Sequence, residues 1–229
     1  MARQLTDEVW LVERPRVNVS LVDDDVLTLI DAGLPWDGPA IREAVREIGF
    51  DPDRIKRVLV THFDLDHVGG LRAFPEAEAI HVGRADADYV RGDLTPRLSD
   101  RKRLFQRLTE FFRKPPQVPV SPVEDGETIG SFTAVHTPGH TPGHTAYFSE
   151  KLDVVFVGDL VFSDGQALSL PPWYLSQDTD QLRASVDALA SRLPPIEVLV
   201  SGHGEPLVTG GSQTLQNMAQ ETCGSGGNG

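Results

Sequence analysis

Short apolar runs separated by polar turns dominate the N-terminal third of the chain, and a helical period follows them. Residues 9–13, 17–22 and 26–30 are rich in β-branched and other apolar side chains, and the last two runs flank the acidic turn 23–25. Paired runs around a polar turn predict a β-hairpin. Across residues 38–50 apolar side chains recur every three or four positions, which predicts an amphipathic helix.

Strands and helices then alternate, which is typical of an α/β fold. We predict a buried strand at 58–60 and a helix that opens at 68–74. Asp178 or Thr179 can cap a helix that runs to about Leu193 and ends before a Pro-Pro pair. The remaining β-rich runs are 131–136, 146–149, 154–157 and 198–200.

A single domain is predicted over residues 1–209, with a helical insertion at about 84–118 and a flexible tail at 210–229. Within the insertion, residues 91–114 carry eight basic and three acidic side chains beside an apolar helical face. This segment is interpreted as a solvated basic face, as a cap that attracts anionic substrates or contacts a second copy, or as a membrane-surface helix.

The chain as a whole is acidic, with 34 acidic against 21 basic residues in 229 and a formal net charge of -13. Whole-surface binding of nucleic acid needs an excess of Lys and Arg, so nucleic acid is not an expected partner. No apolar run approaches the roughly 18 residues that span a bilayer, and the first ten residues lack the apolar core of a signal peptide. The one cysteine, Cys223, excludes a multi-cysteine metal site. These features predict a cytoplasmic protein.

The strongest chemical signal is a dense group of metal-ligand residue types after the predicted strand at 58–60. His62, Asp64, Asp66 and His67 fall within six positions. Because alternate residues of an extended segment point the same way, the first three can converge, with His67 at the turn. Imidazole and carboxylate ligands without thiolate suit Zn²⁺, Fe or Mn²⁺.

Three more residues of the same types follow other predicted strands, namely His140, Asp159 and His203. Sites in layered α/β proteins assemble at the carboxyl ends of strands, so we expect all seven residues at one edge. Seven ligands exceed the four of one tetrahedral ion. Two ions that share a bridging carboxylate, about 3.5–4 Å apart, fit this number better.

Five short motifs occur in order between about residues 17 and 208: 29–33, 62–70, 137–141, 158–159 and 202–204. In combination they resemble the metallo-β-lactamase superfamily of metallohydrolases. The resemblance implies an α/β fold, a four-layer αβ/βα sandwich with two divalent metal ions at one edge. It implies a first ion held by His62, Asp64 and His140. It implies a second ion held by Asp66, His67 and His203, with Asp159 as the bridge.

Asp64 departs from the usual family motif, which has histidine there. A carboxylate makes the first site harder and tilts it toward iron or manganese, although zinc is the ion that we expect; the alternative is that Asp64 only hydrogen-bonds a ligand. Asp31 is expected to orient a metal-bound histidine, and His144 to support the ligands rather than bind metal. Tyr174 resembles the oxyanion-assisting tyrosine of some lactonase relatives, which makes it a candidate catalytic residue.

These residues predict a metal-dependent hydrolase in which a metal-bound hydroxide attacks an ester, thioester, lactone or lactam carbonyl. Asp66 would be both a ligand and the group that orients or accepts the proton. The alternatives are a phosphodiesterase or nuclease of the same fold, an iron-dependent redox enzyme and a non-catalytic binding protein. The expected partner is a small-molecule substrate, anionic if the basic segment caps the site; a homodimer is left open, and no membrane partner is expected.

Overall fold

The two halves of the chain each build a mixed β-sheet. The computed structural model describes residues 1–95 and 114–224, and side chains as far as residue 221, so the core of the basic segment at 96–113 lies outside the described residues. In chain order, strands β1 to β7 are Ala2–Gln4, Val9–Glu13, Asn18–Asp23, Leu27–Ile30, Ile55–Val60, Ala79–Gly83 and Val120–Val123. Strands β8 to β15 are Thr128–Ile129, Phe132–His136, Thr145–Ser149, Val154–Gly158, Phe162–Asp164, Leu168–Ser169, Val198–Ser201 and Gly204–Glu205.

Helices cover the sheets. Helices α1 to α5 are Gly38–Glu47, Leu65–Val68, Arg84–Arg91, Thr179–Arg192 and Gly211–Gly224. Short 3-10 helices occur at Pro52–Arg54, Leu71–Ala73 and Trp173–Leu175. Among the described residues, no helix is both long and apolar enough to cross a membrane.

The two large sheets pack face to face across a shared apolar cluster. The first sheet runs β1 to β7 in sequence, antiparallel as far as β4 and parallel from β4 to β7. The second runs β14-β11-β10-β9-β8, with a parallel pair at β11 and β14, and a small third sheet has the order β13-β12-β15. An apolar cluster drawn from both large sheets, which includes Leu11, Leu59, Phe132 and Phe156, fills the space between them.

Two further apolar clusters lie on the outer faces. One packs the first sheet against α1, α2 and α3 through side chains such as Ile41 and Val90. The other packs the second sheet against α4 and α5 through Val186 and Leu215. Helix, sheet, sheet and helix therefore form four layers, and the predicted αβ/βα sandwich is confirmed. Central strands such as β11 are buried along their whole length, which explains their unbroken apolar runs.

The helix predicted at 68–74 is wrong in its extent. The chain forms α2 at Leu65–Val68 and then a separate 3-10 helix at Leu71–Ala73. Between them Gly70 donates its N–H to the Gly33 carbonyl, and a Cβ at Gly70 would collide with the carbonyl oxygen of Ala32. This close backbone approach ends the helix early.

The flexible tail predicted from residue 210 is also wrong for residues 211–224, which form α5. Leu215 and Ala219 are buried in the outer cluster of the second sheet. Ser212 ties the start of the helix to the segment before β14, because its hydroxyl accepts the N–H of Ile196. The helix offers only a narrow apolar stripe, so its composition gave little sign of a packed element.

Candidate metal centre

Strand ends bring the predicted ligands to one edge, as expected. Parallel strands β4 and β5 end just before Asp31 and Thr61, and parallel strands β11 and β14 end just before Asp159 and Gly202. Asp31 adopts a left-handed backbone with φ of 58°, which is costly for a residue other than glycine. Its N–H donates to the carbonyl of Leu59, so the surrounding strands hold that conformation.

His62, Asp64 and His140 form the first of two triads of ligand-type side chains. Their candidate ligand atoms all lie within 4.8 Å of one another. Oδ2 of Asp64 is 3.3 Å from Nε2 of His62 and 3.1 Å from Nε2 of His140. The two histidines are essentially buried, whereas the Asp64 side chain keeps a small exposed fraction.

Asp66, His67 and His203 form the second triad, and their ligand atoms meet the same 4.8 Å limit. Nε2 of His203 lies 3.6 Å from Oδ2 of Asp66. The Asp66 side chain is 31% exposed and that of His203 is 26% exposed, whereas Asp159 beside them is only 6% exposed. The cluster therefore opens to solvent on the side of the second triad.

Asp159 lies between the two triads. Its Oδ2 is 3.4 Å from Nε2 of His140 and 3.2 Å from Nε2 of His203. Its Oδ1 is 3.5 Å from Nε2 of His67. One carboxylate thus faces histidines of both triads, which is the arrangement that a bridging ligand requires.

Asp31 and Thr61 set the proton positions of two of these histidines. The Thr61 hydroxyl donates to Oδ2 of Asp31 at 2.8 Å, so it is left to accept from Nδ1 of His62 at 3.0 Å. Nδ1 of His67 donates to the same Asp31 oxygen at 2.7 Å. With both Nδ1 atoms used as donors, His62 and His67 turn Nε2 toward the cluster.

His144 supports the cluster through hydrogen bonds. Its Nε2 accepts the backbone N–H of Asp159 at 3.1 Å. Its Nδ1 lies 2.8 Å from the Thr137 hydroxyl, to which the neutral ring donates. Because both ring nitrogens are engaged in this way, neither offers a lone pair to a metal ion. The supporting role of His144 stays a prediction.

Comparison with known proteins identifies the family. Residues 13–203 match the model of the metallo-beta-lactamase superfamily. The probable metallo-hydrolase YflN of Bacillus subtilis (strain 168) is 30% identical over 203 residues, which cover 78% of this chain and 75% of that protein. The chain belongs to the metallo-β-lactamase superfamily. It therefore belongs to a superfamily of metal-dependent hydrolases, as its motifs predict.

Solved structures of superfamily members agree with this fold. The Rm3 metallo-beta-lactamase has a TM-score of 0.74 at 22% identity, covering 98% of this chain and 92% of that one, and at this identity the likeness shows the fold alone. TTHA1623 in a di-iron-bound form has a TM-score of 0.67 at 28% identity, covering 92% of this chain and 96% of that one.

The donor set fits the divalent metals of the superfamily. Among the described residues, Nε2 of His62, Nε2 of His67 and Oδ1 of Asp159 are buried without a hydrogen-bond partner. Each of these three residues has a ligand atom within 4.8 Å of ligand atoms of the other two, and Nε2 of His67 lies 3.5 Å from Oδ1 of Asp159. Unpartnered buried polar atoms are costly, and bound cations would satisfy them. The cluster can therefore hold metal.

Charge in the cluster is arranged for a cation. Burial opposes a proton on His67, but the carboxylates of Asp31, Asp159 and Asp66 outweigh it and raise the pKa of His67 to about 10. Burial, together with the charge on His67, lowers the pKa of His62 well below its ordinary value. The negative charge that stabilises a proton on His67 is charge that a divalent ion would neutralise instead.

The pKa values of Asp66 and Asp159 shift in opposite directions. Burial raises the pKa of Asp66, and the nearby charges of Asp159 and Asp64 add to the rise. Burial also opposes ionisation of Asp159, but His67, His203 and His140 hold its pKa well below the usual range. The surroundings of Asp159 therefore favour its charged form, whereas those of Asp66 favour its protonated form more than usual.

Tyr174 lies at the edge of this region. It is 56% exposed on the 3-10 helix Trp173–Leu175 and packs edge-on against Trp173, with ring centroids 5.9 Å apart. The following Ser176 approaches the cluster, with its Oγ 3.5 Å from Nδ1 of His140. A catalytic role for Tyr174 stays a prediction.

Two supporting residues escaped the sequence reasoning. Thr61 directly precedes His62, and a hydroxyl beside a ligand was the available signal. Asp86 is a fully buried acidic residue on the inner face of α3, beside Ala87 and Val90. An acidic residue in an apolar stripe was the signal there.

Proposed function

We propose that the chain is a dinuclear metallohydrolase that cleaves a small-molecule carbonyl compound, either an ester, a thioester, a lactone or a lactam. The observation that carries the proposal is the Asp159 carboxylate: its Oδ2 faces Nε2 of both His140 and His203, and its Oδ1 faces Nε2 of His67, so it contacts histidines of both triads. His62, Asp64 and His140 would hold the first ion. Asp66, His67 and His203 would hold the second.

The bound ions would supply an activated water and would polarise the carbonyl oxygen of the substrate. The chain's own residues determine how a substrate reaches them. The solvent-exposed fraction of the cluster is greatest at Asp66 and His203, so the substrate would enter on that side. Asp66 has the most exposed carboxylate of the cluster and would orient the attacking water and accept its proton. Trp173 and Tyr174 are exposed near the His140 loop and would contact the substrate.

Zinc is the ion that we propose for both sites, with iron or manganese as the alternative at the first. Histidine nitrogen provides two of the three ligands in each triad, which suits zinc. Asp64 adds a hard oxygen ligand to the first site, and the di-iron form of TTHA1623 is a relative's example of iron on this fold.

Asp159→Ala tests the proposal directly. We expect the wild-type protein to carry two transition-metal ions per chain by elemental analysis and to hydrolyse at least one member of a panel of ester, thioester, lactone and lactam substrates. Asp159→Ala should reduce the metal content and lower kcat/KM by more than the about 10- to 100-fold that loss of a residue supporting a ligand costs.

Asp24→Asn is the matched control, because Asp24 is also a buried carboxylate but interacts with Ser131 and Lys151 instead of the cluster. It should keep full metal content. Wild-type protein that contains no metal and resists prolonged chelation would refute the proposal. Activity confined to a phosphodiester substrate would replace carbonyl hydrolysis with the phosphodiesterase alternative.

A further inference from the structure

Asp86 is a buried carboxylate outside the two triads. It lies in the first turn of α3 and is fully enclosed. Burial raises its pKa to about 7, although hydrogen bonds from Thr141, Gly143 and Phe63 oppose the rise. Burying a carboxylate costs stability unless hydrogen bonds or opposite charges replace its lost hydration.

Three donors from two distant segments converge on this carboxylate. Its Oδ2 accepts the backbone N–H of Phe63 at 3.2 Å and the hydroxyl of Thr141 at 2.6 Å. Its Oδ1 accepts the backbone N–H of Gly143 at 2.7 Å. Each carboxylate oxygen therefore accepts a backbone N–H from a segment that carries ligand-type residues.

The donors adjoin the first triad. Phe63 stands between His62 and Asp64, and Thr141 directly follows His140. One carboxylate thus ties together both segments that carry this triad. Asp31 is the corresponding carboxylate of the second triad: it binds Nδ1 of His67 directly and reaches His62 of the first triad only through the Thr61 hydroxyl.

The packing at this point requires close approach. A Cβ added to Gly143 would lie 2.8 Å from Cγ of Asp86, so any larger residue there would push the loop away from α3. Glycine at 143 lets the loop reach the carboxylate, and the carboxylate then holds the loop in place.

We propose that Asp86 is a positioning residue for the first metal site, which holds His62, Asp64 and His140 at the spacing that binds an ion. The inference rests on the proposed function, since it needs two separate metal sites. It predicts that loss of the Asp86 carboxylate weakens the first site and spares the second.

Asp86→Asn is the primary test, because asparagine keeps the size but turns one acceptor oxygen into a donor NH₂. That group cannot accept from the N–H of Phe63 or of Gly143, so one donor loses its partner in either orientation. Zn²⁺ affinity is measured by competition with a chromogenic chelator, in two backgrounds. His203→Ala leaves the first site to be measured, and His140→Ala leaves the second.

The expected result is a loss of about 10- to 100-fold in Zn²⁺ affinity when Asp86→Asn is added to His203→Ala. Added to His140→Ala, it should change the affinity by less than about threefold. Asp24→Asn, the buried-carboxylate control, should leave both affinities unchanged. Equal losses in both backgrounds, or no loss in either, would overturn the inference.

Thr141 provides a milder pair of variants should Asp86→Asn fail to fold. Thr141→Val removes the hydroxyl that donates to Asp86, whereas Thr141→Ser keeps it. The inference requires weaker first-site binding in the valine variant and recovery in the serine variant, and equal binding in the two overturns it. Wild-type protein that binds fewer than two ions would instead refute the dinuclear function, so the two failures are distinguishable.

Discussion

Hydrogen bonds decide which histidines of the 137–144 loop can bind metal. His140 and His144 are four residues apart and are both buried. Nε2 of His140 faces Asp64 and Asp159, whereas Nε2 of His144 accepts the N–H of Asp159. Each residue's role thus follows from which neighbour its ring nitrogens meet, and a backbone N–H excludes a metal ion where a carboxylate would attract one.

Asp64→His is the residue-scale prediction. The Asp64 carboxylate lies between His62 and His140 and keeps a small exposed fraction, so an imidazole can take its place at modest cost. The change replaces a hard oxygen with nitrogen and removes a negative charge. We expect the first site to prefer Zn²⁺ over Mn²⁺ or Fe²⁺ more strongly than in the wild type, as measured by metal competition.

The second site is the internal control for Asp64→His, since its three ligands are unchanged. Its selectivity should match that of the wild type in the same titration. Identical selectivity and stoichiometry at the first site in both proteins would show that Asp64 is not a ligand there.

At the scale of elements, α5 closes the outer face of the second sheet. It packs against α4 and buries Leu215 completely. Leu215→Ala should lower the free energy of unfolding by about 3 kcal/mol, because it leaves a cavity under the helix. Chemical denaturation measures the change.

Gln220→Ala on the exposed face of α5 is the control and should change the free energy of unfolding by less than about 0.5 kcal/mol. If Leu215→Ala is as harmless as Gln220→Ala, the helix contributes no packing energy and the tail expected from the sequence is the better description.

Polar groups at both ends of β4 add to the apolar contacts between the two halves of the chain. At the carboxyl end, the first half of the chain contributes His62, Asp64, Asp66 and His67, and the second half contributes His140, Asp159 and His203. At the amino end, Asp24 accepts the N–H of Ser131 and the ammonium of Lys151, both from the second half. Ions in the metal centre and the Asp24 carboxylate would therefore link the two sheets independently.

Chelation should destabilise the protein because metal binds the folded state. At a free ion concentration of 100 times the Kd, metal binding adds about 2.7 kcal/mol per site to the free energy of unfolding, and chelation removes this contribution. Scanning calorimetry should show a lower Tm after treatment with a chelator and recovery when Zn²⁺ is restored. Asp159→Ala is the comparison and should show a smaller shift, since it binds less metal. A Tm that chelation leaves unchanged would contradict this prediction.

The link that Asp24 makes with Ser131 and Lys151 should depend on pH. Burial opposes its ionisation, but hydrogen bonds from Lys151 and Ser131 outweigh burial and lower the pKa of Asp24 well below its ordinary value. The stabilisation is therefore complete above the unfolded pKa of about 3.9 and is lost as pH falls toward the folded pKa. Asp24→Asn should lower the free energy of unfolding by about 1–2 kcal/mol at pH 7.

Denaturation of wild type and Asp24→Asn at a series of pH values measures this dependence. The difference between the two proteins should narrow as pH falls below about 4. A difference that stays constant between pH 7 and pH 3 would show that the charge of Asp24 does not stabilise the fold.

Local pattern sufficed to predict the layered α/β fold and to identify the seven residues that cluster. Strands such as β11 are continuous apolar runs, and Asp159 directly follows β11 as His62 closely follows β5. Parallel strands place their carboxyl ends at one edge, so the sequence positions alone imply that these side chains meet. The helix of residues 38–50 could also be predicted, because its 3.6-residue period lies within one segment.

The features that the sequence did not predict depend on contacts between distant segments, which no local pattern encodes. Asp86 is 55 residues from Thr141, and Asp31 is 36 residues from His67. Each pair forms only when separate strands and helices pack. Residue spacing therefore could not predict that Asp86 binds the segments of the first triad, or which histidine nitrogens carry protons. The early end of α2 at Gly70 and the docking of Leu215 depend in the same way on surfaces that folding supplies. Sequence specifies which groups a site contains, and packing determines which of their atoms are left to bind a metal.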